Sequence, residues 1–596
     1  MGLFGAVSRE VKYITSLARI LKRVSKVQGD PDLLTVDQIE ESVDRHADRP
    51  ALMEDDTVWT YAEMDAYANR VAHWAVAQGL KPGDTVAIYM QNRIEYFPIW
   101  YGLSKVGVVG ALLNNQLFGS SLAHTITIAE ARHIIVDVDL QDNFESARGE
   151  LKDMPTDWFA CGACPGRSFE EALEGQPDDR PARDRRAGEK AADTCLKMFT
   201  SGTTGLPKVA RMTHTRVLTY MNTFAVASRS NDEDRVMMVL PLYHATGGLC
   251  GVGTAIMAGG AVIVRRRFSA SSFWDEAIRY KATILMYVGE LCRFLMAQDS
   301  TPKEREHQIR CAIGNGLRPD VWTRFVKRTG IEFIVEFYGA TEGNVALLNV
   351  GGQPGSIGRV APYLKSRFNI ELIRHDVETS EPVRNAEGHA IVVEPDEVGE
   401  AIGEIKPGDP RYRFDGYANK EETEKKILRD VFETGDAWFR TGDLMKRDKL
   451  GNYYFIDRIG DTYRWMAENV ATSEVEEAIG VLDSVEQAVV YGVKVPGYDG
   501  RAGMAAITTG DDFDLDSLML RLKEDLPAYA RPIFLRLRTE PDTTGTFKYR
   551  KKDLKEDGFD PVKVGEPLFY LDPETGRYEP LDGPAYEAIN GGNLRF

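Results

Sequence analysis

The chain is 596 residues long, with 43% hydrophobic and 28% charged residues and with 54 Gly and 27 Pro scattered rather than periodic, which is the composition of a folded protein built from several compact units. Collagen-like, coiled-coil and wholly disordered classes are excluded. Lys and Arg number 73 against 91 Asp and Glu, a net charge of −18, so there is no general surface for nucleic acid and any polyanion must be held locally. Six cysteines in this length cannot make a disulfide framework and indicate a reducing compartment.

In chain order, the first expected element is an amphipathic helix: Leu3, Val7, Val11, Ile14, Leu17, Ala18, Leu21 and Val24 recur at spacings of three and four. Arg9, Lys12, Arg19, Lys22, Arg23 and Lys26 against Glu10 and Asp30 give residues 1–30 a net charge of +4. Such a segment either lies at an anionic membrane surface or docks on its own domain. The run between Lys12 and Arg19 is shorter than the roughly 7–15 apolar residues of a signal peptide.

From 34 to 459 helical patterns alternate with short β-rich runs, which predicts layered α/β structure. Buried strands are expected at 86–90, 133–138, 236–240, 283–288 and 332–337, and a helix at 61–78. Cys161 and Cys164 form a C-x-x-C without a second pair, and the polar stretch 161–193 reads as a surface excursion without chemistry. The apolar stretch 247–264 is interrupted by glycines and ends in Arg265, Arg266 and Arg267, so it reads as a buried helix and strand rather than a span. After 459 come an expected helix (473–479), strand (488–493) and helix (515–526), enough for a separate small α+β domain at 460–596.

The strongest chemical signal is MFTSGTTGLPKVAR at 198–211. A strand runs into Thr200, Ser201, Gly202, Thr203, Thr204 and Gly205, and a second strand pattern starts at Lys208. The glycines let backbone N–H groups turn toward one anion, the hydroxyls add donors and Lys208 adds charge, as a polyphosphate requires. It is not the G-x-x-x-x-G-K-[ST] loop, because Pro207 precedes Lys208 and no helix follows.

Downstream lie PLYHATGG (241–248), GNGLRPD (314–320), FYGATEGN (337–344), WFRTGDL (438–444), FIDRIGDTYRW (455–465) and TGTFKYRKKDL (544–554). In this order the motifs resemble the adenylate-forming superfamily of acyl-CoA synthetases, nonribosomal-peptide adenylation domains and firefly luciferase, within it the fatty acid transport protein and very-long-chain acyl-CoA synthetase branch. The resemblance covers almost the whole chain. It implies a large multi-subdomain α/β region at 31–459 and a smaller mobile α+β domain at 460–596, turning about Gly460.

It also implies the site. The 200–208 loop would hold ATP phosphates, with Gly314, Asn315 and Gly316 beside the nucleotide. Tyr338, followed by Gly339, would stack on adenine. Glu342 would be the Mg²⁺ ligand with Thr341 beside it on phosphate, a hard oxygen donor of the type that ion takes. Asp443 and Arg458 would hold the ribose and α-phosphate, His244 would lie beside the carboxylate being activated, and Lys548 would enter the site for adenylation. Arg464, Trp465, Ala467 and Asn469 would meet CoA. Two departures stand out: relatives of the branch read Trp-Lys-Gly before Glu-Asn where this chain has Trp465, Met466 and Ala467, and Gly248 stands where other long-chain synthetases have a gating tryptophan. The run Arg550, Lys551 and Lys552 reads as a solvated basic face.

The implied activity is ATP-dependent ligation of a long-chain or very-long-chain fatty acid to CoA through an acyl adenylate, with ATP, CoA and Mg²⁺ as the cofactor and co-substrate set. Alternatives are a ligase for bile acids or other bulky carboxylates and a fatty acyl-AMP ligase that loads a carrier protein. The implied location is cytoplasmic, with peripheral membrane contact through 1–30 and a homo-oligomer both compatible.

Overall fold

The structure is a computed structural model that describes residues 3–164, 166–201, 207–340, 343–376, 379–406, 408–409, 412–414, 416, 420–466, 468–498, 500–510, 512–538 and 551–596, without the side chains of 3–9, 201, 422 and 552. It divides into two units, Met1–Leu317 with Thr323–Gln353 and Ile405–Ile427, and Arg318–Trp322 with Pro354–Glu404 and Leu428–Phe596.

The first unit contains two sheets. One has six strands in the spatial order Thr156–Ala160, Ala131–Asp137, Thr85–Tyr89, Val109–Leu112, Thr194–Ser201 and Pro207–Thr213, parallel except for the last pair. The other has eight, in the order Ala346–Asn349, Phe333–Gly339, Cys311–Asn315, Ile284–Val288, Arg235–Met238, Ala261–Val264, Pro50–Glu54 and Thr57–Thr60, antiparallel only at its two edges. The apolar runs expected to be strands are central strands of these sheets, where burial on both faces removes the usual polar alternation. The helix expected at 61–78 is Tyr61–Ala77; Thr60 caps it by accepting the Glu63 N–H while Glu63 accepts the Thr60 N–H.

The N-terminal helix, Leu3–Gln28, packs on helix His214–Ala227. Its contact face is not the apolar stripe expected from the sequence. Tyr13, Ser16, Ile20 and Val27 are buried, whereas Val11, Ile14 and Leu21 are 55%, 45% and 50% exposed. The spacing rule finds one stripe, but the docked arc is the one that carries Tyr13, and Arg23 fixes that arc by donating to Asn222 Oδ1 at 2.6 Å. Both readings of this segment therefore retain a surface: one face is docked, and a second apolar face with Lys12, Arg19 and Lys22 is open.

Residues 161–193 also differ from expectation. Phe169 and Leu173 are buried, and Arg186 and Arg180 reach into an ion cluster in which the fully buried Lys105 meets Asp65 at 2.8 Å and Glu40 at 3.1 Å. Arginines that read as loop polarity are the counter-charges that this buried cluster requires. The stretch 247–264 is a short wide-turn helix, Thr246–Gly251, then Val252–Ile256 and the strand Ala261–Val264. Among the described residues no helix is long and apolar enough to cross a membrane.

In the second unit, strands Gly358–Arg359, Asn452–Arg458, Ala437–Arg447, Val398–Glu404 and Ile370–Ile373 lie side by side in one sheet. A five-stranded sheet follows in the order Val485–Val493, Ala502–Thr509, Phe534–Arg538, Leu568–Leu571 and Tyr578–Pro580. Helices Thr472–Gly480 and Leu515–Asp525 supply Val475, Ile479, Leu518 and Leu522 to the core on that sheet.

Candidate functional site

The phosphate-loop candidates begin at a hairpin. Strands Thr194–Ser201 and Pro207–Thr213 pair so that Thr200 lies opposite Lys208 and Ser201 opposite Pro207. Two strand ends thus bring a hydroxyl and an ammonium to the neck of one loop. Gly202, Thr203, Thr204 and Gly205, with the Ser201 side chain, lie outside the described residues.

Gly314 and Asn315 end a strand, and Gly316 follows at φ 78°, a conformation that suits glycine. Gly314 has a second reason to be glycine. Tyr287, Gly314 and Glu336 stand in one row across three parallel strands. A Cβ on Gly314 would come within 2.5 Å of the Tyr287 ring, so the bare backbone lets that ring pass over and reach the Glu336 carboxyl. Glu336 also accepts the Leu317 N–H at 3.1 Å, which pins the turn from below. Burial pushes the Glu336 carboxyl up to about 8. Neither Glu336 nor Tyr287 stands out in the sequence by motif; a glutamate inside an apolar strand is the available signal.

Tyr338 and Gly339 complete the next strand, which turns back at Ala346–Asn349. Thr341 and Glu342 lie outside the described residues, and the residues on either side of them are held in place. Arg216 of helix His214–Ala227 donates to the carbonyl of Gly343 and, at 3.4 Å, to that of Ala340, which also accepts the Tyr220 hydroxyl at 3.2 Å. His214, fully buried, anchors the start of that helix, with Nδ1 accepting the Thr35 N–H and Nε2 2.8 Å from Glu189.

Beside Tyr338 the first unit holds a half-open cavity of about 720 Å³. Tyr220, Phe224, Phe337, Leu347 and Leu348 line it, together with residues 28–31 at the end of the N-terminal helix and just beyond it. Its size is that of a small-molecule site, and its walls are mostly apolar.

His244 is half-buried at the start of the wide-turn helix, with its Nδ1 3.4 Å from the Thr246 N–H and its carbonyl accepting the Gly248 N–H at 2.8 Å. The small residues that follow are explained by contact. A Cβ on Gly247 or Gly248 would stand 2.4 and 2.1 Å from the carbonyls of Pro241 and Leu242, and one on Gly251 would stand 1.9 Å from Met238 Cε. Gly248 is therefore required by backbone approach and leaves no room for a gating ring.

In the second unit, Asp443 and Arg458 are cross-strand partners, with Arg458 Nε 3.5 Å from Asp443 Oδ1. Asp443 is buried and its N–H is held by Thr441, while the Arg458 side chain is 58% exposed. Gly460 follows at φ 96°, and a Cβ placed on it would meet nothing within 4 Å. Strands Tyr463–Trp465 and Glu468–Val470 form a hairpin that pairs Arg464 with Asn469. Trp465 is 1% exposed, its ring 5.0 Å from that of Tyr498, so it supports the hairpin from beneath and does not offer a face to a ligand. Met466 sits in the turn at φ 50°; Ala467 lies outside the described residues, as does Lys548.

Lys551 corrects the expectation of a solvated basic run. Its ammonium is 3.0 Å from Glu476 and 2.9 Å from the Thr472 hydroxyl, in a pocket that also faces Asp461. A run of like charges looks solvated in sequence because the carboxylates that receive it lie far upstream.

An AMP-binding enzyme family model matches residues 39–400, and the model of its C-terminal domain matches 474–548. Mouse long-chain fatty acid transport protein 6 is 40% identical over 539 residues, covering 89% of this chain and 86% of its own. Mouse long-chain fatty acid transport protein 1 is 39% identical, covering 90% and 84%. Among solved structures, a benzoate CoA ligase from Burkholderia xenovorans superposes with a TM-score of 0.72 at 21% identity over 88% of this chain and 100% of its own. The Mycobacterium tuberculosis fatty acyl CoA synthetase does so with a TM-score of 0.61 at 23% identity over 88% and 98%. These two show a shared fold.

Proposed function

The chain belongs to the AMP-binding enzyme family, among the long-chain fatty acid transport proteins, and from that premise we propose that it ligates long-chain fatty acids to CoA in two steps. A carboxylate oxygen attacks the α-phosphorus of ATP, the bond to pyrophosphate breaks, and acyl-AMP forms. The CoA sulfur then attacks the acyl carbon and AMP leaves.

The observation that carries the fatty-acid reading is the apolar cavity running beside Tyr338. A ring that stacks on adenine and a chain-sized cavity share one wall, so an aliphatic acid bound there presents its carboxylate next to the nucleotide. Each CH₂ moved from water into such a cavity adds ~0.8 kcal/mol, which favours long acids over acetate. Lys208 and Thr200 hold phosphate at the loop neck, Arg216 and Tyr220 keep the 340–343 turn in place, and Asp443 and Arg458 receive the ribose and α-phosphate. Lys548 contributes positive charge as charge builds on the reacting oxygens.

Mg²⁺ fits a single carboxylate, Glu342, plus substrate phosphates, the arrangement that ion prefers; when bound it would neutralise phosphate charge. Among the described residues no group of three or more His, Cys, Asp or Glu side chains forms a separate metal cage.

The exposed face of the N-terminal helix supports peripheral contact with an anionic membrane, since Val11, Ile14 and Leu21 are open to solvent beside Lys12, Arg19 and Lys22.

The test is acid-dependent ATP–pyrophosphate exchange across C2 to C24 acids, with CoA-thioester yield read in parallel. Long acids should exchange far faster than acetate and give thioester in proportion. Best turnover with acetate or an aromatic acid, or exchange without CoA thioester, would refute the proposal.

A further inference from the structure

Helix Lys551–Asp557 begins three residues after Lys548 and turns two lysines, one helical turn apart, toward the segment around Gly460. Lys555 Nζ donates to the Gly460 carbonyl at 3.0 Å and lies 2.9 Å from Asp461 Oδ1. Lys551 Nζ lies 2.9 Å from the Thr472 hydroxyl, 3.0 Å from Glu476 Oε1 and 4.0 Å from Asp461 Oδ2. From the other side Asp457 accepts the Thr472 N–H at 2.7 Å and its hydroxyl at 3.1 Å, and the Thr462 hydroxyl at 3.1 Å. Glu476 in turn accepts the Val490 N–H at 2.9 Å, which ties the cluster to the five-stranded sheet.

We propose that Lys551 and Lys555 are positioning residues that lock the Gly460 pivot to helix Lys551–Asp557, so that the pivot's backbone state and that helix change together. The proposal rests on the two-step reading above and adds to it the residues that select between the steps.

Lys555 takes two acceptors, the Gly460 carbonyl and the Asp461 carboxylate. A lysine that only stabilised the fold could stop at Asp461. This one also takes a backbone carbonyl whose direction is set by the torsions of the one residue here able to exchange backbone states freely. When Gly460 leaves φ 96°, its carbonyl swings and the ammonium must choose between carbonyl and carboxylate. Each pivot state therefore carries its own interaction energy with helix Lys551–Asp557, the condition for a contact to bias an equilibrium. The cluster holds three carboxylates, Asp457, Asp461 and Glu476, against two ammoniums. Removing either cation leaves partly buried acid charge unbalanced.

The full-length chain carrying Lys555→Met tests this, with Lys555→Arg as the conservative partner. Two rates are read: palmitate-dependent ATP–pyrophosphate exchange, and conversion of supplied palmitoyl-AMP with CoA to palmitoyl-CoA. Lys555→Met should change the ratio of the two rates by about 5-fold or more, the scale of a state-specific contact, and Lys555→Arg should restore it. Should Lys555→Met fail to fold, Asp461→Asn, nearly the same size, is read for the same change in ratio. Equal loss in both rates, or an unchanged ratio, would make the cluster merely structural and overturn the proposal. Absence of exchange in the unaltered chain would instead strike the two-step reading, before any variant is compared.

Discussion

The Tyr287 hydroxyl donates to the Glu336 carboxyl across the bare backbone of Gly314, joining two strands that do not pair with each other. The glutamate is thereby held under the turn that follows Gly314, with the Leu317 N–H as its second partner.

This buried acid makes stability depend on pH. Unfolded, Glu336 ionises near 4.5; folded, burial raises it to about 8. Between those values the native chain keeps a proton that the unfolded chain has released, so stability falls as pH rises through the window and levels off above it. Glu336→Gln, which cannot ionise, should match the parent near pH 5 and exceed it increasingly up to about pH 8. Thermal unfolding of both proteins from pH 5 to 9 measures the difference; parallel curves would contradict the assignment.

Arg216 is expected to matter without touching the reacting atoms. It grips both ends of the 340–343 turn, so Arg216→Met should lower kcat/KM for ATP by about 10²-fold, the cost of a misplaced positioning group. The concentration of Mg²⁺ needed for half-maximal rate should rise as well. Tyr220→Phe removes one hydrogen bond and should cost about 5-fold. A lower melting temperature with unaltered Mg²⁺ dependence would reduce Arg216 to a fold-stabilising role.

Much of the site can be read from the chain because phosphate, base and anhydride chemistry restrict residue type within a few neighbouring positions: hydroxyls and glycines at 200–205, a ring before a glycine at 338. Contacts that span the chain leave no such local trace. Glu336 meets Tyr287 49 positions away, and Lys551 meets Thr472 79 away. The docking arc of the N-terminal helix escapes the pattern for a related reason, since periodicity measures which residues are apolar but not which neighbouring element receives them. Arg186 is hidden in the same way, because an arginine in a polar stretch looks solvated until its buried acid is found.

Lys548 gives the clearest separation of the two half-reactions. Lys548→Ala should cut acyl-AMP formation by about 10²–10³-fold, as for loss of one preorganised donor, while conversion of supplied acyl-AMP to acyl-CoA stays near the parent rate. Equal losses in both would argue against its entering the site for the first step alone.

Membrane contact is best tested on the open face of the N-terminal helix rather than by removing the helix, whose other face covers helix His214–Ala227. Serine at Val11, Ile14 and Leu21 together should abolish cosedimentation with phosphatidylglycerol vesicles at low salt. Exchange activity with a short, soluble acid such as octanoate should remain. Undiminished cosedimentation would leave this face without a lipid role.

Because residues 28–31 line the cavity beside Tyr338, the helix that would rest on lipid also borders the room for substrate. A small tilt of that helix on a bilayer would then be felt as a longer or shorter measuring rod for the acid. Chain-length selectivity in this enzyme would belong jointly to protein and support, and profiles recorded in free solution and on vesicles need not coincide.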